Sequence, residues 1–143
     1  MLFRIRFRFD TLLNGAKERT VFYDTAPDKF ALYSDGDVYI NGTKVGTLSI
    51  LAGVDYDLVL SLDGVNIVAV LDGVQAFSTA FTGGVGGSDS TLIGGENENI
   101  NFYRFDGIID FVEVGYTAES LADIQTTYKA ENDPDSFWTI EYL

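Results

Sequence analysis

The start of the chain alternates between apolar and basic side chains. Apolar residues occupy every second position, namely Phe3, Ile5, Phe7 and Phe9. Basic residues lie between them, namely Arg4, Arg6 and Arg8. Because successive side chains of a β-strand point to opposite faces of a sheet, this alternation predicts a strand with one buried face. We expect the apolar side to face the core.

Turn signals divide the middle of the chain into short β segments. Asp-Gly or Asn-Gly pairs occur at residues 35–36, 41–42, 63–64 and 72–73, each between apolar or β-branched runs. These dipeptides tolerate the positive φ angles of tight hairpin turns. Strands that follow one another without intervening helices predict antiparallel pairing, since parallel sheets need crossover helices.

A single helix is predicted near the C-terminus, around residues 117–128. Thr117 is suited to cap its N-terminus, and an apolar stripe follows at Leu121, Ile124 and Tyr128. Residues 137–142 alternate again and predict a final strand. The pattern as a whole predicts an all-β fold, an antiparallel β-sandwich with one short C-terminal helix, and we expect a single domain over residues 1–143.

Composition and charge exclude several classes of function. The 143 residues include 22 acidic and 9 basic side chains, and a net charge of −13 argues against nucleic acid and anionic membranes as partners. No apolar run approaches the roughly 20 residues of a membrane helix, and the alternating start is unlike the apolar core of a signal peptide, so we expect neither. Cysteine and histidine are absent, which excludes disulfides, imidazole catalysis and the usual zinc sites.

The order of the β segments resembles the concanavalin A-like jelly roll in its laminin-G-like and pentraxin-like forms. The matching segments are Tyr56 with residues 63–64, then residues 72–74, 93–95, 105–110 and the helix stripe. The resemblance implies a jelly-roll binding fold. Since the family usually has a strand before this first one, we expect residues 137–142, or a strand of a neighbouring subunit, to cover the first strand's open edge.

One segment is similar to a glycosidase motif. Laminarinase-type enzymes of the same superfamily carry Glu-x-Asp-x-x-Glu, in which the first Glu is the nucleophile and the last is the general acid/base. Asp110 and Glu113 have that spacing, but Ile108 occupies the nucleophile position. Because a retaining glycosidase needs two carboxylates, we expect no enzymatic activity, with a laminarinase-type glycosidase kept as an alternative.

A polar loop next to aromatic residues is the candidate glycan-binding site. Its residues are Glu96, Asn97, Glu98, Asn99, Asn101 and Tyr103. Sugar recognition needs planar hydrogen-bonding groups beside an aromatic face, and oxygen-bearing side chains suit Ca²⁺. A candidate Ca²⁺ site is formed by Asp89, Glu96, Asn97 and Asp106. The alternative is a solvated polar loop whose aromatic residues pack into the core.

The arginine face of the first strand is a candidate partner contact. Arg4, Arg6 and Arg8 can grip a carboxylated or sulfated glycan or an acidic patch of a partner protein. The alternative is cross-strand pairing with acidic neighbours of the same chain. Trp138 is the other candidate contact residue, with packing in the core as its alternative role.

These features predict a non-catalytic binding module that recognises glycan. Because Met1 directly precedes the first strand, the chain resembles a free-standing bacteriophage virion component, and we expect a virion-surface or extracellular location. The alternative is a capsid or tail decoration protein that docks on a viral shell protein through protein–protein contacts, as a homo-oligomer.

Overall fold

The computed structural model describes residues 1–11, 22–24, 30–33, 35–82, 91–93 and 106–133. The strands in these ranges are β1 (Leu2–Phe9), β2 (Phe22–Asp24), β3 (Phe30–Leu32), β4 (Asp37–Ile40), β5 (Thr43–Thr47), β6 (Tyr56–Leu62), β7 (Asn66–Leu71), β8 (Val74–Ala80), β9 (Thr91–Ile93) and β10 (Gly107–Gly115). Helix α1 (Leu121–Asn132) follows β10.

The strands form antiparallel sheets. The largest has the order β10-β1-β6-β7-β8, a second has the order β3-β4-β5, and β2 pairs with β9. Each of these pairings is antiparallel. The sequence-based prediction of an all-β, antiparallel jelly-roll sandwich with one short C-terminal helix is confirmed.

The main core lies between the five-stranded and the three-stranded sheet. The apolar side of β1 enters this core as predicted, and its four residues Phe3, Ile5, Phe7 and Phe9 are at most 3% exposed. They pack with residues of the second sheet such as Leu32 and Ile40. A smaller cluster on the opposite face of the five-stranded sheet consists of Leu2, Val59, Val70 and the helix residue Ile124.

Two of the four predicted Asx-Gly pairs form tight two-residue turns. At Asp35-Gly36 and Asp63-Gly64 only the glycine has a positive φ, and longer loops join the strands. Asn41-Gly42 has φ angles of 53° and 73°, and Asp72-Gly73 has φ angles of 50° and 74°. Both pairs join neighbouring strands through two residues, as the registers Ile40 to Thr43 and Leu71 to Val74 show. Residues at both positions must adopt positive φ in such hairpins, which explains why Asn or Asp precedes Gly here.

The prediction for the open edge of β1 is wrong. Strand β1 pairs with β6 on one side and with β10 on the other, so neither edge awaits a C-terminal or neighbouring strand. The physical reason is long-range topology, because β10 pairs with β1 from about a hundred residues further along the chain. Residues 137–142 themselves lie outside the described residues.

Helix α1 begins later than predicted. Its N-cap is Ser120, whose hydroxyl accepts a hydrogen bond from the backbone N–H of Asp123 at 3.2 Å, whereas Thr117 precedes the helix. Ser61 of β6 explains the shift, because its hydroxyl donates to the carbonyl of Glu119 at 2.7 Å and accepts from its N–H at 2.9 Å. The apolar stripe is confirmed at Ile124, which is 2% exposed, and at Leu121, which packs against the same cluster, whereas Tyr128 lines a cleft.

Within the described residues, no helix combines the length and the apolar character that crossing a membrane requires.

The Asp72-Gly73 turn also docks the helix. A Cβ added at Gly73 would lie 2.5 Å from Cδ1 of Tyr128, so the ring rests where a side chain would be. The side-chain amide of Gln125 donates to the carbonyl oxygen of Gly73 at 3.0 Å. The turn therefore joins two strands and supports α1 at the same time.

We expect Gly73→Ala to lower the free energy of unfolding more than Gly42→Ala. The two glycines have φ angles of +74° and +73°, but a Cβ at Gly42 meets nothing within 4 Å. Both variants carry the left-handed backbone penalty of about 1 kcal/mol, and only Gly73→Ala adds overpacking of about 1–3 kcal/mol. Chemical denaturation measures the difference. Equal losses would contradict the docking role of Gly73.

Candidate functional site

A buried ion-pair network holds the last turn of α1 against the five-stranded sheet. The guanidinium of Arg4 donates to both carboxylate oxygens of Asp57, at 3.0 and 2.6 Å, and to both oxygens of Glu131, at 3.0 and 2.6 Å. Arg6 donates to Asp57 at 3.0 Å and also to Glu131. Two arginines of β1 thus bind one carboxylate from β6 and one from α1.

The protonation properties of this network follow from its hydrogen bonds. The pKa of Arg4 is raised chiefly by its hydrogen bond to Asp57. The hydrogen bond from Arg4 lowers the pKa of Glu131. The ring of Phe111 on β10 adds a further contact, since its centroid lies 5.7 Å from Cζ of Arg4 and 5.6 Å from Cζ of Arg6. Positive charge over an aromatic face is attractive, so Phe111 ties β10 to the network.

The arginine face is therefore mainly an internal contact. Arg4 is 6% exposed, so its side chain has almost no surface for the partner contact considered from sequence. It pairs with acidic residues of the same chain, which was the alternative. The side chain of Arg6 is 37% exposed but is engaged by the same two carboxylates. Arg8 contacts Asp10 at 3.2 Å and Asp55 at 3.8 Å.

A cleft of about 470 Å³ opens beside the network, and we call it the acidic cleft. It lies where the last turn of α1 meets the adjoining ends of β1, β6 and β10. The described residues that line it are Arg6, Phe7, Asp55, Tyr56, Asp57, Asp72, Ile108, Asp110, Tyr128 and Asn132. Tyrosine rings, carboxylates and one amide thus share a single concave surface.

Neighbouring groups fix the aromatic and acidic side chains of the acidic cleft. The hydroxyl oxygen of Tyr56 accepts a hydrogen bond from the N–H of Leu51 at 2.8 Å. Tyr128 packs over the turn at Gly73, and burial raises its pKa. Asp72 accepts a hydrogen bond from the N–H of Asp57 at 2.8 Å, and burial raises the pKa of this carboxyl as well.

Strand β10 brings Asp110 into the cleft through a bulge. Arg6 pairs with Phe111 and Phe7 pairs with Ile109, so Asp110 is the extra residue between them. A bulge bends a strand and re-aims a side chain, and here the exposed Asp110 faces the cleft. Ile108 is 46% exposed and lines the same cleft.

Glu113 lies in a different place from Asp110. It stands opposite Arg4 on β10 and lines a smaller cleft of about 220 Å³ between α1 and the sheet. Arg4 and Glu131 line this second cleft but not the first. Of the two clefts described here, Asp110 lines one and Glu113 the other, and the nucleophile position holds the side chain of Ile108.

Most of the loop residues proposed from sequence lie outside the described residues. These are Glu96, Asn97, Glu98, Asn99, Asn101 and Tyr103, together with Asp89 and Trp138. Asp106 is described, and its carboxylate accepts a hydrogen bond from the hydroxyl of Thr11 at 2.5 Å. In the part of the chain that the structure describes, no three acidic side chains are arranged to hold a metal ion. The Ca²⁺ site stays a prediction.

The acidic cleft itself was missed by sequence reasoning. The sequence pattern places Tyr128 on the apolar stripe of the helix and Asp72 in a turn. Asp72 does lie in the turn, and Tyr128 packs over Gly73. Their common role arises only when α1 packs across the ends of β1 and β6. A turn aspartate whose pKa is raised by burial is the signal that marks the site, and it exists only in three dimensions.

Comparison with known proteins identifies the fold. No protein-family model matches the sequence, and no curated protein matches it. Among solved structures, domain 4 of AbnA, a GH43 extracellular arabinanase from Geobacillus stearothermophilus in complex with arabinotriose, is similar with a TM-score of 0.67 and 18% identity. The match covers 87% of this chain and 64% of that chain, so this chain is shorter than the arabinanase domain.

Two further structures have the same fold. The CBM40 of Ruminococcus gnavus IT-sialidase, bound to α2,3-sialyllactose, matches with a TM-score of 0.62 and 12% identity, over 89% of this chain and 81% of that chain. A native heptameric SAP-like pentraxin from Limulus polyphemus matches with a TM-score of 0.55 and 15% identity, over 89% and 68%. At these identities the similarity shows the fold, which is the β-sandwich jelly roll expected from the sequence.

We expect Arg4→Met to destabilise the protein by about 3 kcal/mol, because breaking a buried ion pair leaves an uncompensated charge. Asp57 is the group left behind, with a side chain 7% exposed and only Arg6 still in contact. Arg8→Met is the control, since its pair with Asp10 is exposed and such pairs contribute less than about 1 kcal/mol. Similar losses for the two variants in urea denaturation would contradict this role of Arg4.

Proposed function

We propose that this chain is a non-catalytic glycan-binding module and that the acidic cleft is its binding site. The observation that carries the proposal is the composition of the cleft, where the rings of Tyr56 and Tyr128 lie beside carboxylates and the amide of Asn132. Sugars present an apolar face and a rim of hydroxyl groups, and sites that bind them combine aromatic surface with fixed polar groups. Similar folds, one bound to the neutral arabinotriose and one to the anionic sialyllactose, support a glycan as the ligand.

The cleft is organised before any ligand arrives. The hydrogen bond to Leu51 holds Tyr56, the Gly73 turn holds Tyr128, and the backbone of Asp57 holds Asp72. Binding to ordered side chains costs less conformational entropy than binding to mobile ones. Asp110 and Asn132, at the rim on β10 and α1, are the groups that we expect to contact sugar hydroxyls directly.

The positions of the motif residues support the non-catalytic part of the proposal. Hydrolysis with retention needs two carboxyl groups about 5 Å apart across the scissile bond. Asp110 and Glu113 line different clefts, and Ile108 has no group that attacks a sugar. We therefore propose binding without turnover.

A structural docking role is the second candidate. It is favoured by exposed apolar side chains along β10 and just after it, with Ile108 and Val114 each 46% exposed and Tyr116 fully exposed. Such side chains suit a contact with another protein. The virion-surface or extracellular location and the role of the loop at residues 96–103 stay predictions.

We expect Asp110→Ala and Asn132→Ala each to weaken glycan binding about fivefold or more, because each removes a hydrogen-bonding group worth about 1 kcal/mol. A glycan array identifies the ligand, and isothermal titration then measures its affinity for each variant. Gln75→Ala on the exposed face of β8, at the opposite edge of the sheet from β10, is the control and should bind normally.

The same experiment separates the rival sites. If Asn97→Ala and Tyr103→Ala abolish binding while the rim variants bind normally, the site is the loop and the acidic cleft is excluded. Repeating the array with EDTA tests the Ca²⁺ prediction. Silence on the whole array, together with a defined oligomer in solution, contradicts glycan binding and favours the docking role.

We expect the purified protein to release no reducing sugar from laminarin or lichenan, because the motif lacks its nucleophile and splits its carboxylates between two clefts. A reducing-end assay over a long incubation measures this. Activity that disappears in Glu113→Gln would show that the motif is catalytic and that the proposal is wrong.

A further inference from the structure

We infer that the acidic cleft accepts glycans without carboxylate or sulfate groups and rejects anionic ones, with Asp55, Asp72 and Asp110 setting this specificity. The inference rests on the proposed function and adds the class of sugar. It departs from one sequence-based hypothesis, in which the arginines of β1 grip an anionic glycan, and agrees with the other, in which they pair with acidic neighbours of the same chain.

Positive charge near the cleft is already neutralised. Among the described residues that line the cleft, Arg6 is the one cation. Arg4 and Arg6 together carry two positive charges, and Asp57 and Glu131, which both of them contact, carry two negative charges. The network is thus neutral as a unit, and an incoming anion would have to displace an existing carboxylate partner.

Negative charge remains in surplus once the network is balanced. Asp55, Asp72 and Asp110 also line the cleft. Asp55 has an 82% exposed side chain that lies 3.8 Å from Arg8, which also binds Asp10. Asp72 accepts a backbone hydrogen bond, which leaves its charge without a cationic partner in that contact. Three carboxylates therefore face the space that a ligand would fill.

The same carboxylates favour neutral sugars. An ionised carboxylate only accepts hydrogen bonds, and a sugar hydroxyl is a donor, so the two are complementary. A carboxylate or sulfate on the ligand has no proton to donate to the carboxylates of the cleft, so no hydrogen bond forms between them, and the like charges repel each other. Within a few ångströms, in a partly enclosed cleft, such repulsion lowers affinity by about tenfold or more. The net charge of −13 acts in the same direction at longer range.

The test begins with an array that contains neutral, amino, sialylated, sulfated and uronate glycans. The neutral oligosaccharide that binds is then compared with the same oligosaccharide after oxidation of one primary hydroxyl to a carboxylate. We expect the oxidised form to bind about tenfold or more weakly. We expect the difference to shrink between about 50 mM and about 500 mM NaCl, because salt screens charge repulsion.

Charge-neutralising variants assign the effect to residues. We define the affinity ratio as the affinity for the neutral oligosaccharide divided by the affinity for its oxidised form. Asp72→Asn and Asp110→Asn should each reduce this ratio, and each keeps a hydrogen-bonding group. Asp63→Asn is the matched control, since it removes the same charge at the far end of β6, where Asp63 accepts from the N–H groups of Val65 and Asn66. Its ratio should equal that of the unmodified protein.

The outcomes separate this inference from the proposed function. No binding to any glycan overturns the proposed function and this inference with it. Binding to anionic glycans, with affinity equal to or above that for their neutral counterparts, leaves glycan binding intact and overturns the inference alone. An equal ratio for Asp72→Asn, Asp110→Asn and Asp63→Asn overturns the assignment to the cleft carboxylates.

Discussion

The contact of Arg4 with Asp57 and Glu131 is the interaction on which the rest of the outer face depends. A guanidinium that is 6% exposed is tolerated only with partners, and here both carboxylates bind it through two oxygens. Because Glu131 belongs to the last turn of α1, satisfying Arg4 fixes that turn over the sheet. Tyr128 and Asn132 then form one wall of the acidic cleft. The same ion pairs therefore stabilise the docking of α1 and position the residues of the cleft wall.

The network also determines the charge that a ligand meets. In sequence, three arginines on one strand face indicate a surface for anions. In three dimensions two of them are balanced by Asp57 and Glu131, while Asp72 and Asp110 reach the cleft from a turn and from a bulge. The positive charges of Arg4 and Arg6 are therefore balanced by the carboxylates that hold the helix on the sheet. The cleft beside this basic strand is acidic as a result.

Features set by local chemistry could be predicted from the sequence. The alternation in β1 gave the correct buried face, and the Asn41-Gly42 and Asp72-Gly73 turns follow from the φ angles that such hairpins require. The helix start could not be predicted, because it depends on a contact between Ser61 and Glu119, 58 residues apart. The neighbour of β1 was predicted wrongly and the acidic cleft was not predicted, for the same reason. Both depend on which distant segments the fold brings together.

Strand β10 directs the residues of the glycosidase-like motif to different places. Its bulge at Asp110 aims one carboxylate into the acidic cleft, and Glu113 then falls opposite Arg4 beside the smaller cleft. The Arg4–Glu131 pair lines that smaller cleft together with Glu113, whereas Ile108 lines the acidic cleft. Replacing Ile108 with a carboxylate would add negative charge to an acidic cleft without creating the pair that hydrolysis needs. The bulge that directs Asp110 and Glu113 to different clefts is thus the feature of this arrangement that supports the proposal of recognition rather than turnover.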